Sequence, residues 1–159
     1  MICALLPPKR ILTNKAPYLL FKTGDSKDEA YLLGVLSSIP LDWYARKVVE
    51  ININFHILNA FPIPRADLGN KLRNRVEQIA GRLAASDQRF STWAEEVGVE
   101  VGPVLEDQRA KMEAEVDALV AHLYGLSEND LKTIYETFHE GWDPTERMDQ
   151  ALEYYQAHA

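Results

Sequence analysis

Apolar positions recur along the chain with changing periods, and each change marks an expected element. Short apolar runs at residues 2–6, 10–13 and 18–21 are separated by Pro7-Pro8-Lys9 and closed by Thr23-Gly24-Asp25. Their length, aromatic content and bounding turn residues predict strands. Ser26-Lys27-Asp28-Glu29 has the form of a capping box. The helix it opens is apolar nearly all round (Ala30, Tyr31, Leu32, Leu33, Val35, Leu36), which predicts burial. Gly34 in its middle lowers helix propensity by about 1 kcal/mol relative to Ala, so a close backbone approach is expected there. Ser38 caps a second helix with Pro40 near its first turn. Leu41, Tyr44, Ala45, Val48 and Val49 share one face of it, and Trp43, Arg46 and Lys47 the other. Ile51, Ile53, Phe55 and Ile57 then alternate with Asn52, Asn54 and His56, a strand period expected to break near Phe55 into a helical turn. Phe61-Pro62-Ile63-Pro64 enforces an extended exit.

A 3.5-residue period takes over downstream. From an expected cap at Asp67, Leu72, Val76, Ile79, Leu83, Ser86, Phe90, Trp93 and Val97 form a heptad seam broken in polarity only at Ser86. One unbroken helix of that extent spans about 45 Å. Residues 98–103, with Gly and Pro at their ends, stop it. A partner helix follows with Leu105, Met112, Val116, Leu119 and Leu123 in register and Arg109 as the polar exception. The two seams predict an antiparallel helical hairpin that forms without the rest of the chain. Gly125 fits a left-handed helix end. Leu126-Ser127 with Asp130-Leu131 fits a staple and cap for a helix carrying Ile134, Tyr135 and Phe138. Asp143-Pro144-Thr145-Glu146 opens a last helix with Met148, Leu152 and Tyr155 inward. The expected fold class is therefore α+β, predominantly helical: short N-terminal strands and two short helices, then the hairpin and two C-terminal helices. Its expected regions are residues 1–65, 66–125 and 126–159.

Composition sharpens this outline in two ways. The 159 residues contain one cysteine, Cys3, which excludes an intrachain disulfide and favours a reducing compartment. Residues 1–6 are too short for a signal segment, and no run approaches the roughly 20 apolar residues of a membrane span, so a cytoplasmic protein is expected. The net charge of −7 argues against nucleic acid until it is counted by halves. Residues 1–85 hold 12 Lys and Arg against 7 Asp and Glu, whereas residues 86–159 hold 5 against 17. Two surfaces with different partners follow from that asymmetry, or an acidic tail that serves solubility alone.

Several short stretches together carry a resemblance. Leu32-Leu33-Gly34-Val35-Leu36-Ser37-Ser38, the paired Asn52 and Asn54 before Phe55, Phe61-Pro62-Ile63-Pro64, Ala118-Leu119-Val120-Ala121-His122-Leu123-Tyr124-Gly125-Leu126 and Thr137-Phe138-His139-Glu140-Gly141-Trp142-Asp143 span most of the chain. This pattern resembles the C-terminal target-recognition region of fused type IIG-like restriction–modification proteins, which are adenine-specific DNA methyltransferases and restriction enzymes, and is related to type I specificity subunits. The resemblance implies DNA and a methyltransferase or restriction catalytic portion as partners, with residues 1–65 as part of the DNA-binding domain. An apolar run begins at residue 1 without a preceding turn, and the resembled family continues upstream within the same domain, so Met1 is expected to be an internal start within a longer protein, with a free-standing small protein as the alternative.

The residues expected at DNA are Lys9, Arg10, Lys15, Lys22, Trp43, Arg46, Lys47, Asn52 and Asn54. A ring flanked at i+3 and i+4 by cations suits phosphates or an unstacked base; it equally suits packing on a neighbour, with the cations shielding it. Asparagine reads adenine bidentately in a major groove, but also caps turns.

Catalytic signatures of the resembled family are missing. Pro7-Pro8 lies between Leu6 and Lys9 rather than in an Asn/Asp-Pro-Pro-aromatic motif. S-adenosylmethionine and Mg²⁺ are therefore expected only in the parent enzyme. Glu113, Glu115 and Asp117 alternate along a helix and are not expected to converge on a metal. His139-Glu140 lacks a second His one turn on. The alternative function is a protein–protein scaffold, a homodimer through the heptad seam with no DNA contact.

Overall fold

The computed structural model describes residues 3–12, 17–49, 53–138, 141 and 143–159. Helix α1, Ser26–Ser37, starts where Asp25 accepts hydrogen bonds from the Lys27 and Asp28 amides at 2.9 and 3.0 Å, and Asp28 reaches back to the Asp25 amide. The capping box thus lies one residue before the expected Ser26 and Glu29 pair. A carboxylate at this position also meets the positive end of the helix dipole. It leaves Ser26 to Glu96, and Glu29 accepts from Trp93 Nε1 at 2.8 Å.

Ser38 ends α1 and starts α2, Ile39–Val48, as its sequence position predicts. Asn54 caps α3, Phe55–Asn59. Asn70, rather than Asp67, caps α4, Lys71–Ala84, by accepting from the Leu72 and Arg73 amides. A 3-10 turn at Gln88–Phe90 and α5, Ser91–Val97, lead to α6, Glu106–Leu123. Gly125, at φ 70°, closes α6 with the Leu126 amide bonded back to Ala121 O at 3.0 Å. Helix α7, Glu128–Glu136, carries the expected box between Ser127 and Asp130, and α8, Thr145–Ala157, follows Asp143.

The α+β expectation is corrected: among the described residues the chain forms helices and no strand. In the first expected strand, Cys3 packs on one hydrophobic cluster and Leu5 on another, while Ala4 and Leu6 face solvent. The alternation is real, but a helical surface receives it instead of a sheet. Residues 17–23 make no backbone hydrogen bond to another described residue, and a strand without a neighbour has no ladder. Around Phe55 the helical turn prevails over the strand period, because the Asn54 side chain takes the Ile57 amide at 3.1 Å.

The 45 Å helix is also corrected. Ala85 leaves helical geometry at ψ 57°, and Asp87 accepts from the Arg89 amide and guanidinium. Ser and Asp side chains offer the backbone such local alternatives, and the seam breaks at its one polar position.

Helix α6 is the centre of the molecule. One side packs Val116, Leu119 and Val120 with Tyr31, Val35, Leu41, Val76 and Ile79. The other packs Ala114 and Ala121 with Ile39, Leu131, Tyr135 and Ala151. The short side chains of Ala114, Ala118 and Ala121 are all fully buried, which suits the close approach of α8. Arg75, near the start of α4, binds Glu115 on α6, and Arg82, near its end, binds the carbonyls of Gly102 and Pro103 just before α6. Helices α4 and α6 are therefore antiparallel, as the seams predict. The clusters cross both expected boundaries, after residues 65 and 125, so those mark stretches of sequence and not separate cores.

Candidate nucleic-acid interface

A buried carboxylate fixes the helices around the candidate interface. Asp117, fully buried on α6, accepts from the Ile39 amide at 2.7 Å, the Tyr135 hydroxyl at 2.6 Å and Arg147 Nε at 2.8 Å. One side chain thereby ties the first residue of α2 to α7 and α8. Burial, and then the Asp117 charge, push the Tyr135 phenol well above its ordinary pKa, so it stays protonated and donates. Burial pulls the Arg147 guanidinium down, but the charge of Asp117 and its hydrogen bond outweigh that and hold it above its usual value. Arg147 also donates to Glu113 at 2.9 Å, while Glu115 turns away to Arg75. Glu113 and Asp117 therefore converge on a guanidinium. Among the described residues no three His, Cys, Asp or Glu side chains gather as a metal-binding group.

With α2 and α7 locked together, Trp43, Arg46, Lys47, Thr137 and Phe138 line a shallow groove of about 170 Å³. Trp43 Nε1 donates to Thr137 Oγ1 at 2.9 Å, and the Thr137 hydroxyl donates to Thr133 O at 2.7 Å, so the indole edge is held in place. The Lys47 ammonium lies 5.0 Å from the Trp43 ring centroid. Arg46 lies 4.6 Å over the Phe138 ring and pairs with Asp42 at 3.2 Å. Of the two readings that the Trp-x-x-Arg-Lys spacing allows, this arrangement has the ring packed on a neighbour with one cation, Lys47, over it, while Arg46 covers Phe138.

The other expected DNA residues are dispersed. Lys9, at φ 61° in the Pro8-Lys9 bend, and Arg10 after it are exposed, and Lys22 is exposed in the bend that reaches Gly24. No hydrogen bond or ring contact joins them to the groove among the described residues. Asn54 serves as a helix cap, the commoner of its two expected roles. Lys15 and Asn52 lie outside the described residues.

Sequence reasoning missed Thr137 and Phe138 as groove walls. Phe138 carried only a core signal, and Thr137 is 94 residues from its partner Trp43, beyond the reach of any local period. Comparisons with known protein families, curated proteins and solved structures return no significant match. Among the described residues no helix is long and apolar enough to cross a membrane.

Proposed function

We propose that this chain is a non-catalytic DNA-recognition part of a cytoplasmic restriction–modification methyltransferase or endonuclease. S-adenosylmethionine and Mg²⁺ belong to the catalytic portion of that enzyme, which the acidic half of this chain would contact. The observation that carries the reading is the α2 ridge: Lys47 over an indole held at its edge by Thr137, with Arg46 in the same groove. Lys47 makes no ion pair among the described residues, which leaves its charge available to a phosphate. Lys9, Arg10 and Lys22 add exposed positive charge from the same half of the chain.

The scaffold alternative meets an obstacle. Its seam residues Val76, Ile79, Val116 and Leu119 are 0, 1, 5 and 0 % exposed, so a homodimer through them would have to open the core.

DNA binding driven by Lys and Arg falls steeply with salt, with a slope of about 0.9 per phosphate neutralised. Titrating a mixed-sequence duplex at several salt concentrations, with fluorescence anisotropy as the readout, tests the reading. Binding is expected at low ionic strength, and Lys47→Glu should weaken it and flatten the salt slope by about one. Lys111→Glu, on the exposed acidic side of α6, is expected to leave both unchanged. Absence of salt-dependent binding, or equal weakening by the two reversals, would overturn the assignment.

A further inference from the structure

The groove's dimensions and chemistry suit one form of nucleic acid better than another. Trp43 uses its only polar atom on Thr137, so what it can offer a ligand is the face of a ring already fixed at its edge. Lys47, exposed and on a flexible stem, covers that ring by a contact at 5.0 Å. At an exposed site an ammonium over an indole is weakly held, and a nucleobase stacked on the same ring is held more strongly. A displaced Lys47 also finds a phosphate to pair with. A groove of about 170 Å³ is on the scale of a single planar ring system. Bases within a duplex are stacked on each other and present edges and phosphates, not faces.

We infer that the groove takes a single unstacked nucleobase, laid on the Trp43 indole where Lys47 now lies, with the adjoining phosphate held by Lys47. The inference rests on the DNA reading above and narrows it to single-stranded or locally opened DNA. Arg46, held to Asp42 and over Phe138, lines the same groove and adds a second cation to it.

The test compares a twelve-nucleotide mixed-sequence single strand with the duplex of the same sequence, by anisotropy at one low salt concentration, on the full chain. The single strand is expected to bind more tightly than the duplex. Trp43→Ala should lower single-strand affinity on the order of tenfold, and lower duplex affinity much less. Trp43→Phe, which keeps a stacking face and the packing, should retain most of the single-strand affinity and guards against a folding defect in Trp43→Ala. Lys47→Ala should preserve the preference for the single strand while flattening the salt slope of both. Equal affinity for the two forms, with Trp43→Ala weakening both alike, would overturn the inference and leave the DNA reading standing. Absence of salt-dependent binding to either form would overturn both.

Discussion

Gly34 shows how one position can be read correctly from sequence and still require the fold to explain it. A glycine in the middle of an apolar helix predicts a close neighbour, and a Cβ placed there would lie 2.6 Å from Val76 Cγ1 and 3.1 Å from Ala80 Cβ. Both belong to α4, so the missing side chain sets the approach of α1 to α4. Gly34→Ala pits a helix-propensity gain of about 1 kcal/mol against overpacking of about 1–3 kcal/mol, and overpacking is expected to win. Urea unfolding should show net destabilisation, relieved in part when Val76→Ala is added, because the two sites are in contact. A stabilised Gly34→Ala protein would mean that α1 and α4 are not so close. Ser38, Gly125 and Ser127 were legible for a related reason: caps and left-handed ends are decided within four residues. Where two polar residues compete for that role, the spacing alone is ambiguous. Asp25 prevails over Ser26, and Asn70 over Asp67, through which side chain reaches the free amides.

Helix α6 was only half legible. Its heptad side, Met112, Val116 and Leu119, faces α4 as expected, yet Ala114, Ala118 and Ala121 are equally buried on the side toward α7 and α8. Alanine carries no preference strong enough to announce a second apolar face. The charged residues conceal it further, since Asp117 reads as a solvent position until its partners, 18, 30 and 78 residues distant, are brought to it. Asp117→Leu strips the Ile39 amide and Tyr135 hydroxyl of their acceptor and leaves Arg147 with Glu113 alone. Removing one partner of a buried ion pair costs about 3–5 kcal/mol, so a loss of that order is expected in urea unfolding. Adding Arg147→Met should recover part of it, because the stranded charge is then gone. A loss below about 1 kcal/mol for the single variant would show that water reaches the carboxylate.

The parts of the chain that sequence misjudged are those whose partners decide their structure. Residues 18–21 have strand composition, with Leu20 77 % exposed, and the described residues include no ladder for them to join. On similar grounds of partnership, residues 66–125 are not expected to stand alone. Helix α4 buries Val76 and Ala80 against α1, and α6 buries Ala114 and Ala121 against elements beyond Gly125. Removing α1, α2, α7 and α8 exposes both outer faces of the hairpin at once. It also takes away Arg147, Tyr135 and the Ile39 amide, leaving the Asp117 charge in an apolar surface. Antiparallel seams joined by their own α5 still favour some helix, so the fragment is not expected to be a random coil. Far-UV circular dichroism should show residues 66–125 partly helical, with a broad, shallow thermal transition, where the full chain melts cooperatively. A fragment melting as sharply as the whole would mean that the α4 and α6 seam suffices, and that the flanking helices are accessories instead of parts of one core.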